Sequence, residues 1–112
     1  MIVTKSTPFT KEEIEELKAQ FEVYIKTVID IEKKVCSAGM DRHFEGEQIL
    51  IAQGSSQHNI WGGGIDLTTN EIDYNSFINI RPNDNNTKNE IQSEDIKSKY
   101  NELTKYFFST IL

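Results

Sequence analysis

The sequence predicts an α+β fold with the element order β-α-β-β-β-α, in which two helices cover one face of an antiparallel meander of three to four strands. Two observations support the helices: a long run of apolar residues at helical spacing in the N-terminal third, and a capped amphipathic stretch at the C-terminus. A third supports the sheet, because three short apolar segments separated by turn residues occupy the middle. With 112 residues, the chain fits a single domain spanning residues 1–112.

The N-terminal third predicts a short strand, "MIVTK", followed by a long helix. Thr10 and Glu13 have the T-x-x-E spacing of a capping box, which marks a helix start. Apolar residues then recur in steps of 3 and 4, at Ile14, Leu17, Phe21, Tyr24, Val28, Ile31 and Val35. We therefore predict a helix from about Lys11 to about Ser37, ended by Gly39. So long a helix either spans the whole body or contributes a homodimer seam.

The remaining elements follow from apolar segments and turn signals. "QILIAQ" reads as a central strand because its apolar run is unbroken, and "HNIWGGGIDL" and "EIDYNSFINI" read as the next two strands. Ser93 predicts the cap of a last helix. Its inward stripe comprises Ile96, Tyr100, Leu103 and Phe107.

The composition argues against nucleic-acid-binding, membrane and disulfide-stabilised proteins. The net charge of −6 disfavours non-specific binding to nucleic acid or to an anionic membrane surface. The single cysteine, Cys36, cannot form an internal disulfide, so it predicts a buried thiol in a reducing cytoplasm. We expect neither a signal peptide nor a membrane span, because no apolar run has the required length.

The end of the third predicted strand, "INIRPNDNN", places an arginine beside a polar loop. Strand alternation puts Asn79 and Arg81 on the face opposite the main core, and Pro82 ends the ladder. A guanidinium held there suits bidentate capture of a carboxylate or phosphate. The alternative is a structural ion pair, for which Asp30 is a candidate partner.

Two further features could carry chemistry. Trp61 precedes three glycines, which indicates a bulge or a close approach, and its indole is either a core anchor or a pocket wall. His43, Glu45 and Glu47 would share one face if extended, a weak metal or acid–base pattern. No dinucleotide fingerprint, nucleophile with an adjacent base or zinc-type cysteine pair is present, so we expect no cofactor and no metal.

Four strings resemble, in order and spacing, a family of short bacterial proteins known only as a domain of unknown function: "YIK…DIE", "H-x-E-x-E", "GSSQ…WG" and "INIRP…N". The resemblance covers nearly the whole chain and implies a bacterial or phage-related soluble protein without an established activity. It implies a polar and aromatic site made of His43, Glu47, Gln57, Trp61, Asn79, Arg81 and Asn86. The chain departs from the family pattern at His58 and Asn59, where an acidic pair is usual. It departs again at Thr87, where a basic residue is usual.

Two functions fit this set. One is a binding or regulatory module for a small anionic or nucleotide-like ligand, or for a peptide carboxylate or other protein partner. The other is a small hydrolase or nuclease with His43 as general base and Arg81 stabilising the developing anion.

Overall fold

The computed structural model describes residues 1–112 and contains one five-stranded antiparallel sheet and three α-helices. The strands are β1 (Val3–Lys5), β2 (Tyr24–Asp30), β3 (Val35–Ala38), β4 (Ile60–Asp66) and β5 (Glu71–Asp73). The helices are α1 (Lys11–Phe21), α2 (His43–Ala52) and α3 (Glu94–Phe107). Their order in the sheet is β1-β3-β2-β4-β5. The α+β class and the antiparallel sheet are confirmed, whereas the predicted element order is wrong.

The predicted long helix is also wrong. The helix ends at Phe21, and the rest of the stripe forms β2 and β3. Residues 23–31 are dominated by β-branched side chains, which favour a strand. Because β2 is central, both of its faces are buried: Ile29 packs in the core on one face and Val28 packs on the other. Apolar residues therefore occupy nearly every position of the strand, and some of these positions coincide with helical spacing. Since the stripe is not one helix, it provides no helical dimer seam.

The segment "QILIAQ" lies largely in α2 rather than in a strand. Within this helix Gly46, Glu47 and Leu50 are buried, at the spacing of one helical face. A Cβ on Gly46 would lie 2.5 Å from Met40 Cε and 3.0 Å from Val28 Cγ2, so the glycine lets α2 pack closely against β2. The apolar run is short, and short runs do not distinguish a strand from a buried helix.

The third predicted strand is confirmed only at Glu71–Asp73. Beyond it, Phe77–Asn79 and Pro82–Asp84 form single 3₁₀ turns. Instead of a continuing β5, the side chain of Asn79 bonds to β4: Oδ1 accepts from Gly62 N at 2.8 Å, and Nδ2 donates to Gly62 O at 2.9 Å. One amide side chain thus provides the hydrogen bonds to the backbone N–H and C=O of Gly62 that a neighbouring strand would otherwise provide.

Helices cover both faces of the sheet. The larger core packs α1 and α3 against one face, and it contains Ile14, Ile25, Trp61, Tyr100 and Phe107. The smaller core packs α2 on the opposite face around Val28, Met40, Leu50 and Ile60. The N-terminal and C-terminal helices therefore share a face as predicted, and α2 covers the other.

Both predicted helix starts are confirmed. Thr10 Oγ1 accepts from Glu13 N while the Glu13 carboxylate accepts from Thr10 N, which completes the capping box. Ser93 Oγ accepts from Ile96 N at the start of α3. Cys36 lies buried in β3, as a small apolar side chain would. None of the three helices combines the length and apolar character that crossing a membrane requires.

Candidate functional site

The glycines of β4 allow side chains to approach the sheet closely from both faces. A Cβ on Gly62 would lie 2.7 Å from Ser76 Cβ and 3.1 Å from His43 Cδ2. A Cβ on Gly63 would lie 2.1 Å from Asp73 O and 2.9 Å from the Tyr100 hydroxyl. The glycines are therefore required by packing, and on one face the space they leave is taken by His43 and Ser76.

The imidazole of His43 is held against β4 at the first residue of α2. Its Nε2 lies 2.7 Å from Gly63 O, and because a carbonyl only accepts, Nε2 carries the proton. Burial is the main cause that lowers the pKa of His43 below its ordinary value of 6.5, and the bond to Gly63 opposes it. The neutral ring is thus favoured near pH 7, with Nδ1 as an acceptor that no protein group engages.

Asn79 and Asn86 organise the segment that faces His43. Besides its bonds to Gly62, Asn79 Nδ2 donates to Tyr74 O and Asn89 O. Asn86 Nδ2 donates to the carbonyls of Asn79, Lys88 and Glu90, and its Oδ1 accepts from Gln92 N. Both side chains are buried. Their amides are fully used in holding the backbone between residues 74 and 92.

A cleft of about 400 Å³ separates the N-terminus of α2 from residues 76–78. We call it the Phe77 cleft. Phe77 is 81% exposed and Phe44 is 57% exposed, so two phenyl rings on its two sides lack protein cover. Two large exposed apolar side chains that line one cleft indicate a binding surface.

Charged and polar groups complete the Phe77 cleft. Lys26 and Arg42 contribute two cations and Asp41 one carboxylate, while His43 and Ser76 provide polar groups. The lining therefore carries a net positive charge in a protein whose total is −6. Such a cleft suits a ligand that combines an apolar body with a negative group.

Arg81 does not line the Phe77 cleft. Its guanidinium lies over the Trp61 ring at 4.2 Å from the centroid, and its Nη1 donates to Gln57 O at 2.7 Å. Two carboxylates are close: Asp84 Oδ2 at 3.2 Å from Nε and Glu47 Oε2 at 4.0 Å from Nη1. Burial is the main cause that lowers the pKa of Arg81, and these carboxylates oppose it.

Arg81 is thus paired with carboxylates, as the structural alternative held, although the partner is not Asp30. The Oδ1 of Asp30 instead accepts from Glu32 N and Lys33 N and caps the turn between β2 and β3. Trp61 is 1% exposed and anchors the larger core. In this arrangement the indole and the guanidinium are both buried, and Trp61 Nε1 and Arg81 Nη2 have no hydrogen-bond partner within the protein.

The predicted site residues therefore fall into three groups. His43 lines the Phe77 cleft, and Asn79 and Asn86 hold the opposing segment. The other four contact one another near the start of β4, where β5 does not extend: Glu47, Gln57, Trp61 and Arg81.

Sequence reasoning missed most of the cleft, including Lys26, Arg42, Phe44 and Ser76. A usable signal existed at Phe77, which strand alternation placed as an aromatic residue on the polar face.

His43, Glu45 and Glu47 are on a helix, so they do not share the extended face that a strand would give them. The structure contains no group of three or more His, Cys, Asp or Glu side chains placed to hold a metal ion.

Comparison with known protein families gives one finding. The model of a family described as "Protein of unknown function (DUF5674)" matches residues 1–107. Searches of curated proteins and of solved structures return no match.

Proposed function

We propose, from the premise that this chain belongs to the DUF5674 family of proteins of unknown function, that it is a binding or regulatory module. Its ligand combines an apolar or aromatic body with an anionic group and occupies the Phe77 cleft. The observation that carries this proposal is the exposed ring of Phe77, which faces a positively charged lining across a cleft of about 400 Å³.

The ligand's apolar body contacts Phe44 and Phe77, while Lys26 and Arg42 attract its negative group. Covering a phenyl ring contributes about 2 kcal/mol, which corresponds to more than tenfold in affinity. Of the residues in the family motifs, His43 contacts the ligand directly. Asn79 and Asn86 are positioning residues, because they hold the backbone that carries Phe77.

The hydrolase alternative needs His43 and Arg81 to act on one substrate. That arrangement has no support here, because Arg81 lies outside the cleft and is paired with Asp84 and Glu47. A binding role does not require His43 and Arg81 to reach the same substrate.

The proposal includes a reducing, cytoplasmic setting and a bacterial source. The first rests on the single free cysteine, Cys36, because proteins of oxidising compartments more often carry disulfides. The bacterial source rests on the family resemblance alone.

Ligand-observed saturation-transfer NMR tests the proposal with three probes: benzoate, phenyl phosphate and neutral benzyl alcohol. We expect the two anions to bind the wild-type protein more tightly than the alcohol does. Phe77→Ala should weaken both anions about tenfold or more. Lys26→Ala should reduce the preference for anions over the alcohol.

Two control variants match these substitutions. Tyr106→Ala removes another exposed aromatic side chain, and Lys99→Ala removes another exposed cation, both outside the cleft. Equal binding by the wild type, Phe77→Ala and Tyr106→Ala would refute the proposal, and so would a complete absence of binding.

A further inference from the structure

The two ring nitrogens of His43 have different surroundings. Nε2 donates to Gly63 O at 2.7 Å, whereas Nδ1 has no hydrogen-bond partner within the protein. Trp61 Nε1 and Arg81 Nη2 also lack partners and are buried, but Nδ1 of His43 reaches solvent. A proton can therefore bind to Nδ1 without breaking the bond to Gly63, because both nitrogens of an imidazolium are donors.

That proton would add charge to the lining of the Phe77 cleft. His43 lines the cleft together with two cations, Lys26 and Arg42, and one carboxylate, Asp41. Protonation of the ring supplies a third cation. An imidazolium and a bound anion in one cleft of about 400 Å³ stabilise each other, because charges at such short separations are only partly screened.

The groups packed around His43 determine how readily the ring is charged. Burial lowers its pKa most, and Lys26 on β2 acts in the same direction, as does the N-terminus of α2. The bond to Gly63 and the carboxylate of Asp73 on β5 oppose them. The Glu45 carboxylate is occupied with Arg42 N at 2.9 Å, and β3 (Val35–Ala38), which also packs against α2, carries no charged side chain. An anion in the cleft would therefore add a favourable charge where cations predominate.

We propose that the Phe77 cleft binds its anionic ligand together with a proton on His43 Nδ1, so that it holds anions more tightly as the pH falls. The inference rests on the proposed function and concerns the regulation of the same site. In the free protein the pKa of His43 lies below its ordinary value of 6.5, and a bound anion raises it. By linkage, the affinity for the anion rises as the pH falls through the pKa of the complex, and it levels off below the pKa of the free protein.

Isothermal titration calorimetry over about pH 5.5–8, where a histidine changes charge, tests this inference. Benzenesulfonate is the probe, because it stays ionised throughout the range and its own charge does not change. We expect its affinity for the wild-type protein to rise about fivefold or more towards the acid end. Binding near the middle of the range should also take up protons, which is measured as a heat that depends on the ionisation enthalpy of the buffer.

Controls isolate the imidazole. Neutral benzyl alcohol should bind with little dependence on pH, because it has no charge for the imidazolium to attract. His43→Gln should remove the rise in benzenesulfonate affinity. His58→Gln should keep it, because His58 is the only other histidine and lies exposed outside the cleft.

Each contrary result refutes a defined claim. Binding of benzenesulfonate with an affinity that does not change with pH would overturn the inference and leave the proposed function standing. A rise that persists in His43→Gln would do the same, because another group would then take up the proton. Absence of binding at every pH would overturn both.

NMR titration of the histidine rings in the wild-type protein decides the matter if His43→Gln folds poorly or no longer binds. The pKa of His43 should be higher in the presence of saturating benzenesulfonate than in its absence, whereas that of His58 should not change. An unchanged pKa of His43 in the saturated protein would overturn the inference.

Discussion

Replacing Asn79 with alanine should destabilise the protein by about 4 kcal/mol, a large share of the 5–15 kcal/mol typical of a domain. Asn79 accepts from Gly62 N and donates to Gly62 O, Tyr74 O and Asn89 O. The last two carbonyls keep backbone partners, since they also accept from Ile91 N and Ser76 N.

The loss of stability therefore comes mainly from Gly62. Its buried N–H and C=O both point to the edge of β4 that no strand pairs with, and both would lose their partner. Each buried polar group left without a partner costs about 1–3 kcal/mol, and two such groups give the figure above. The free energy of unfolding can be measured by urea titration, followed through the fluorescence of Trp61. This residue is the only tryptophan and is buried beside Gly62.

Asn83→Ala is the matched control, because Asn83 lies exposed in the same loop, and we expect a change within about 0.5 kcal/mol. In the Asn79→Ala protein the amide hydrogen of Gly62 should also exchange with solvent faster than in the wild type. A loss below about 1 kcal/mol would refute the conclusion that this side chain replaces a strand at the edge of β4.

Three further predictions concern single residues. Thr10→Ala should lower the free energy of unfolding by about 1 kcal/mol in urea titration, because it removes the acceptor for Glu13 N. Gly63→Ala should prevent native folding, seen as loss of dispersed NMR signals, because its Cβ would lie 2.1 Å from Asp73 O. His43 has a lowered pKa, so below about pH 6.5 the unfolded chain binds a proton that the folded protein does not. As the pH is lowered below this value, the free energy of unfolding of the wild type should therefore fall by up to about 1.4 kcal/mol per pH unit more than that of His43→Gln. Urea titration of both proteins at several pH values measures the difference.

Each of these has a defined contrary result. A Thr10→Ala protein as stable as the wild type would mean that the capping box contributes nothing. A folded Gly63→Ala protein would mean that β4 can shift away from Asp73. Parallel pH profiles for the wild type and His43→Gln would mean that the imidazole is protonated equally in the folded and unfolded states.

The sequence predicted those parts of the fold that depend on local chemistry. Thr10 and Ser93 were identifiable because capping bonds form within three residues. The strand containing Trp61 was identifiable from its turn signals and apolar residues. By contrast, β2 is a strand covered on both faces and α2 is a short helix packed against a sheet on one face, and both give apolar runs in the sequence. Only the tertiary structure distinguishes them.

The candidate site was predictable to a smaller degree. His43 was identified as a residue with chemical capacity, and the structure places it in a cleft. Asn79 and Arg81 were assigned to a strand face, but the strand stops at Asp73, so alternation no longer describes where later side chains point. The glycines after Trp61 indicated a close approach, but the sequence pattern did not identify Ser76 as the residue that approaches Gly62, because that contact depends on the tertiary structure.

At Gly63 two side chains from different helices contact the same residue of β4. The carbonyl oxygen of this residue receives the imidazole of His43, and the opposite side of the same residue lies against the phenol of Tyr100 on α3. Anything that pulls the imidazole away from the carbonyl removes a restraint on a peptide that the last helix also contacts. A change in the position of His43 in the cleft therefore alters the surroundings of a residue that α3 contacts from the other face of the sheet.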